Sequence, residues 1–376
     1  MDLSTRLIHE HNIENKERAV VPPLFSSTTF ERGESGTDFP GGFIYSRYNN
    51  PNRQILEEKI ATLEEGASCI SFASGMAAAN AIFQSLKSGD HIIMPDDTYF
   101  AVKHLLDLAF SSMGISYTAV DMTNPENVIA QIRKETKLIW IETPSNPLLK
   151  ITDIAAIAEI AQQHHCITVV DNTWPTPYFT KPLKLGADIV LHSTTKYLGG
   201  HCDLIGGALV FKAQNEKYQF IRNLQRLGGA VPSPYDCWML CRSLNTFTAR
   251  MTVHARNAMQ LAAFLEDHEA IEKVYYPGLD KHPQYDIARK QMLDGFGGMI
   301  SVLIKGDRAS ALSVAGKLKY FKHATSLGGV ESLVEHRKSI EGPESITPDN
   351  LLRISVGIEF VGDLIEDWKN ALKPTP

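Results

Sequence analysis

Between about residues 65 and 212 the sequence alternates short apolar runs with helical stretches, a pattern that few architectures accommodate. Cys69–Phe72, His91–Met94, Ile115–Val120 and Leu138–Glu142 read as short strands, as do Ile167–Val170 and Ile189–Leu191. Thr152–His164 carries the Ala/Ile stripe of a crossover helix, and Ala77–Leu86 reads as another. Strands that lack polar alternation are buried on both faces. Strand and helix in alternation therefore predict an α/β unit built on a mostly parallel sheet.

In open α/β sheets ligands sit at the carboxyl ends of the strands. Two of these ends carry unusual residues. The run ending at Val170 leads into Asp171, and the run ending at Leu191 leads through Ser193, Thr194 and Thr195 to Lys196, with Gly199 and Gly200 after it. Taken singly, each has an ordinary reading: a surface lysine, a hydroxyl-rich turn, an acid capping a turn. The pair is more informative. Desolvation at a strand mouth lowers a lysine's pKa and frees its amine as a nucleophile. The neighbouring hydroxyls suit a phosphate, and a carboxylate suits a protonated ring nitrogen. An aldehyde cofactor with a phosphate tail needs these three partners, and pyridoxal 5'-phosphate is that cofactor.

At 376 residues the chain exceeds one ordinary core, so two domains are expected. Residues 1–50 hold few periodic apolar positions and read as an arm packed on something else, such as another subunit. Residues 51–245 form the large domain, starting with an amphipathic helix over Asn52–Glu64. Residues 246–376 form a smaller α+β domain. It starts with a long helix near 245–268, continues with strands at Gly298–Ile304 and Leu351–Val356, and has helices near 283–293, 308–318 and 362–372.

Composition excludes several classes. A net charge of −6 argues against a general nucleic-acid binder, and no apolar run approaches 18 residues, so no membrane span is expected. The polar N-terminus lacks a secretion-signal core. Five cysteines without CxxC spacing (Cys69, Cys166, Cys202, Cys237, Cys241) fit buried free thiols in a reducing cytoplasm, with Cys202 a packing residue. No metal site is expected.

Three further sites have two readings from the residues alone. Tyr45-Ser46-Arg47 is either surface or a phosphate site, since an arginine fork plus a hydroxyl suits a dianion. Ser74-Gly75-Met76 lies between strand and helix, and is either a capped turn or an anion site made by helix amides. Arg353 lies inward on an apolar strand and needs an anionic partner, either internal or from a substrate.

The segments VVDNTWPTPYFTKPLKLGADIVLHSTTKYLGGH, SFASGMAA and YSRYNNPN occur in one order over nearly the whole chain. They resemble the Cys/Met-metabolism family of pyridoxal phosphate enzymes, which includes cystathionine γ-synthase, cystathionine γ-lyase, cystathionine β-lyase and methionine γ-lyase. The resemblance implies the aspartate-aminotransferase-like fold, PLP fold type I. It also implies a homo-oligomer of shared active sites, a tetramer of two dimers. By the same resemblance Lys196 is the covalent cofactor anchor and general base, and Tyr99 stacks on the pyridine and helps move protons. Asp171 and Thr173 serve the ring side, while Ser74, Gly75, Met76, Ser193 and Thr195 hold the phosphate. Tyr45 and Arg47 do so for the neighbouring subunit. Asn146, Ser326 and Arg353 bind a small amino-acid substrate, with Arg353 clamping its α-carboxylate.

The sequence also departs from the family pattern. Phe100 and Ala101 stand where glycines commonly follow the tyrosine, and Thr325 stands where γ-acting members often carry glutamate. Leu327 replaces the tryptophan of many β-eliminating members. The stretch Glu335–Pro343 differs throughout and reads either as a solvated charged loop or as a pocket mouth where His336 or Arg337 meets substrate. The expectation is γ-elimination or γ-replacement on a sulfur-containing or O-acylated four-carbon amino acid. The alternatives are β-elimination, a γ-lyase for a non-standard amino acid, or a catalytically silent binding protein.

Overall fold

The strands separate into two sheets. The computed structural model describes residues 1–11, 18–342 and 345–373. The first sheet comprises β1 (Ser68–Phe72), β2 (His91–Pro95), β3 (Ser116–Val120), β4 (Thr136–Glu142), β5 (Ile167–Asp171), β6 (Ile189–Ser193) and β7 (Gly207–Phe211), in the order β1-β7-β6-β5-β4-β2-β3. β3, β2, β4, β5 and β6 pair in parallel, and β7 runs against both of its neighbours. The expected mostly parallel sheet is present. Its central strands are apolar runs because both faces are covered: Ile92, Ile139, Val169 and Val190 are fully buried. The edge strand β3 is partly exposed, which its Ser-Tyr-Thr sequence tolerates.

The second sheet comprises β8 (Ile271–Tyr275), β9 (Met299–Ile304), β10 (Lys322–His323), β11 (Leu333–Glu335) and β12 (Leu351–Ser355), in the order β10-β11-β12-β9-β8. All its pairs are antiparallel except β10 with β11. The sequence reading named none of β7, β8, β10 and β11; β8 is bulged near Ile271, with Glu272 and Lys273 exposed side by side, and β10 and β11 are only two and three residues long. The Glu335–Pro343 stretch is no simple solvated loop. It holds the end of β11 and a helix over Arg337–Glu341, with Glu335, His336 and Arg337 buried. Pro343 lies outside the described residues.

One helix joins the two sheets. Phe247–Glu266 starts among the large sheet's cluster, through Phe247, Met251 and Ala255. It ends in the small sheet's cluster, through Ala258, Leu261 and Leu265. The helix after the arm starts at Pro51, with Asn50 Oδ1 accepting from the Asn52 amide at 2.9 Å, so the start signal is an Asn cap followed by proline at the first helical position.

One element of the arm goes unnamed in the sequence reading, and one expectation, for Cys202, needs correction. The arm contains a helix, Leu3–His9, whose one buried residue, Leu7, was too little for a periodicity signal. The thiols of Cys69, Cys166, Cys237 and Cys241 are buried, but Cys202 is exposed, at a left-handed φ of 56°, in the turn after Gly200. Among the described residues no helix is long and apolar enough to cross a membrane, and no His/Cys/Asp/Glu cluster suits a metal.

Candidate active site

A cavity of about 290 Å³ opens at the carboxyl ends of β4, β5 and β6, where the second sheet meets the first. Such a position is where ligands of open α/β sheets sit. Asp171 ends β5. Its Oδ1 accepts from the Thr173 amide at 3.0 Å, and burial raises its pKa against that bond. Thr173 Oγ1 in turn accepts from the Ser193 amide at 2.9 Å, which ties the ends of β5 and β6 together.

Lys196 follows β6 by three residues. Its Nζ donates to Ser326 Oγ at 2.7 Å, and burial, together with the nearby Arg353 cation, lowers its pKa to about 8. The Gly-Gly after it has a packing reason. Gly200 has φ of 72°, and a Cβ there would lie 2.0 Å from Arg250 Nη1. Arg250 reaches in to donate to the Tyr197 carbonyl at 2.7 Å, so the turn carrying the lysine is fixed from behind.

Ser74 caps the Gly75–Phe83 helix, its Oγ accepting from the Ala77 amide at 3.0 Å. A Cβ on Gly75 would lie 2.8 Å from Ser193 Cβ, so glycine lets the helix N-terminus close against the end of β6. Ser74, Gly75, Met76, Ser193 and Thr195 all line the cavity. Thr195 Oγ1 also accepts from the Gly206 amide at 3.1 Å.

Tyr99 lines the cavity and packs edge-on against Phe100, ring centroids 5.0 Å apart. Its backbone amide donates to Glu142 Oε2 at 2.8 Å. Glu142 ends β4, opposite Asp171 in register, and burial with that neighbouring carboxylate pushes its pKa well up. The sequence reading places Glu142 at the end of a strand and gives it no role in the site. Its place at a strand end beside Asp171 was the available signal.

The second sheet supplies Arg353 from β12. Its Nη1 donates to Asn146 Oδ1 at 3.2 Å, and its Nη2 donates to the Ser326 carbonyl at 3.1 Å and to Glu335 Oε2 at 2.6 Å. Arg353 thus has an internal carboxylate and also lines the cavity. Its own pKa is lowered to about 10, chiefly by burial and then by the Arg337 cation. Ser326 holds a left-handed φ of 99°, a conformation that non-glycine residues adopt where the surroundings impose it. Arg337 lines the cavity, whereas His336 turns away, its Nε2 bonded to the Asp349 carbonyl at 2.6 Å.

Tyr45 and Arg47 do not line this cavity. Arg47 stacks on Tyr48, 4.7 Å from the ring centroid, and donates to the Arg226 carbonyl at 2.5 Å, while Tyr45 is 43% exposed.

The residues present fit pyridoxal phosphate on geometric grounds. A carboxylate at one strand end, a helix N-terminus with three hydroxyls around it, and a desolvated amine face one cavity. They match a ring nitrogen, a phosphate and an aldehyde.

The sequence profile of the Cys/Met metabolism PLP-dependent enzymes matches residues 4–373. The chain is 45% identical over 377 residues to a cystathionine γ-synthase of Mycobacterium leprae, covering 98% of this chain and 96% of that one. It is 44% identical over 380 residues to a cystathionine β-lyase of Lactococcus lactis subsp. cremoris, covering 99% of each. The crystal structure of a cystathionine γ-lyase from Lactobacillus plantarum complexed with L-serine superposes with TM-score 0.93 at 39% identity, covering 99% of this chain and 98% of that one. The two-sheet architecture is PLP fold type I, and the chain belongs to the Cys/Met metabolism family of PLP-dependent enzymes, with pyridoxal 5'-phosphate as its cofactor and transsulfuration chemistry as its class of reaction.

Proposed function

We infer that the enzyme acts at the γ-carbon of a four-carbon amino acid, by elimination or replacement of a sulfur or O-acyl substituent. One observation carries this reading. The cavity wall next to Ser326 carries Leu327 and no indole at that position. An indole there would fill the space that a γ-substituent needs.

When bound, pyridoxal phosphate supplies the electron sink for negative charge at the substrate Cα. The protein's own groups do the rest. Asp171 holds the ring nitrogen, with Thr173 fixing its carboxylate. Ser74, Ser193, Thr195 and the Gly75 and Met76 amides hold the phosphate, the helix dipole favouring the dianion. Lys196 Nζ anchors the cofactor and then serves as base for the α-proton. A pKa of about 8 keeps a useful fraction neutral near neutrality. Arg353 and Asn146 hold the substrate carboxylate and so orient the Cα–H bond towards Lys196. Tyr99 stacks on the ring and assists proton movement, positioned by Glu142.

Tyr45 and Arg47 complete the phosphate site of a neighbouring subunit, which is supported by the exposure of Tyr45 and by the absence of both from their own chain's cavity. The working unit is then a dimer of shared sites, paired into a tetramer in the cytoplasm. We take 51–245 and 246–376 as the two domains and 1–50 as the arm.

A second reading, β-elimination, has its own support in the 44% identity to the Lactococcus cystathionine β-lyase. A panel of cystathionine, methionine, cysteine and O-acylhomoserines with and without cysteine separates the two by product. On the γ reading, 2-oxobutyrate forms from cystathionine, or cystathionine forms from an O-acylhomoserine plus cysteine. Pyruvate as the sole keto acid from cystathionine, with homocysteine and ammonia beside it, would overturn it in favour of β-elimination.

A further inference from the structure

Two of the departures in sequence meet in space. The Arg337 guanidinium lies 5.8 Å from the Phe100 ring centroid, at the cavity wall. Behind it lies a chain of four buried charges. Glu335 Oε2 accepts from Arg353 Nη2 at 2.6 Å and from Arg337 Nη1 at 2.9 Å. Arg337 Nη2 continues to Glu341 Oε1 at 2.7 Å, and Glu341 Oε2 accepts from Thr347 Oγ1 at 2.6 Å.

This chain poses an electrostatic problem for carboxylate binding. Arg353 already has a carboxylate against one of its nitrogens. A second carboxylate arriving at the same guanidinium meets an anion a few ångströms away, in a medium that screens poorly. Arg353 alone would be neutralised in advance by Glu335. The guanidinium of Arg337 shares the same Glu335 oxygen, so that carboxylate is divided between two cations; with Glu341 on the far side of Arg337 the four charges sum to zero, and loss of Arg337 would leave the group at −1. Three of the five Arg353 N–H donors are engaged among the described residues, so donors remain for a substrate.

We propose that Arg337 is a positioning residue that acts through Glu335, offsetting its charge so that Arg353 stays available to the substrate α-carboxylate. It does this without itself contacting the carboxylate. Glu335 in turn fixes both guanidinium planes, and the Phe100 ring supports Arg337 from the loop that carries Tyr99. This role rests on the reading of Arg353 as the carboxylate clamp.

The test compares two O-substituted hydroxylamines that react with the bound cofactor, aminooxyacetate, which carries a carboxylate, and methoxyamine, which does not. The readout is the ratio of their second-order rate constants, followed by the cofactor's absorbance in the holoenzyme. Arg337→Gln should lower this ratio about tenfold or more, the scale of one charge-assisted interaction. Arg337→Lys should keep most of it. Adding Glu335→Gln to Arg337→Gln should restore it, because the uncompensated anion is gone. Glu335→Gln alone should hold or raise the ratio, and it decides the matter if Arg337→Gln does not fold.

A ratio unchanged in Arg337→Gln but collapsed in Arg353→Ala would overturn the proposal and leave the clamp standing. A ratio unchanged in Arg353→Ala would remove the clamp itself, and the proposal with it. A fall in Arg337→Gln that Glu335→Gln does not restore would make Arg337 a packing residue only, and would also overturn the proposal.

Discussion

Lys196 Nζ and Ser326 Oγ meet at 2.7 Å although one residue follows β6 of the first sheet and the other follows β10 of the second. The amine therefore takes its hydrogen-bond partner from across the sheet junction, while its low pKa comes first from burial and then from Arg353 on the same far side.

That pKa gives a pH prediction. Only the neutral amine attacks an aldehyde, and the neutral fraction grows as pH rises through the pKa. Uptake of pyridoxal phosphate by cofactor-free protein should accelerate with pH around a midpoint of about 8. Stopped-flow absorbance measures it, and a rate independent of pH across that midpoint would count against Lys196. Lys196→Ala should abolish borohydride-trapped cofactor altogether.

Asp171→Asn keeps the Thr173 bond but removes the negative charge at the cavity. Charge stabilisation of this kind is worth ~10²–10³ in kcat when one preorganised group is lost. We expect kcat to fall in that range while the protein retains its fold by circular dichroism. A fall below about tenfold in kcat would exclude Asp171 as the ring-nitrogen partner.

Arg47→Ala and Lys196→Ala lie on different chains of one proposed site. Mixed one to one after dissociation, random pairing in a two-fold dimer should yield about a quarter of wild-type activity, since half the dimers carry one intact site of two. If the mixture shows no more activity than its two components, the shared site is refuted.

Asp97 is buried and accepts a hydrogen bond from Ser145 Oγ, and burial raises its pKa from 3.8 to about 6. A carboxyl whose folded pKa exceeds its unfolded value stabilises the fold fully below the unfolded pKa, and that contribution is lost as pH rises through the folded one. Stability of the cofactor-free protein should therefore decline between about pH 4 and 6 through this group, with a slope of at most ~1.4 kcal/mol per pH unit. Asp97→Asn, which can still accept from Ser145, should flatten the decline in thermal melts taken across that interval. An identical slope in the variant would assign the decline to other groups.

Much of this was legible in the sequence for physical reasons. The buried strands β2, β4, β5 and β6 are continuous apolar runs, and their ends place Asp171 and Lys196 at one cavity, so pattern and chemistry agreed. β8 and β11 were missed because a bulge breaks the alternation of β8 and because the three residues of β11 are too few to show a period. Glu142 was missed because its partner is a backbone amide 43 residues away, which no local pattern reports. Glu335 was read as part of a loop because its two arginine partners flank it from β12 and from a five-residue helix. Arg353 had two sequence readings, an internal carboxylate and a substrate clamp, and the fold places it beside Glu335 and at the cavity wall.

The Phe247–Glu266 helix gives the molecule a single axle. Its first turns are set in the core beneath Lys196, and its last turns in the core beneath Arg353. Cutting the chain beside this helix would not release a working half from either side, because the amine and the guanidinium would lose their common ruler.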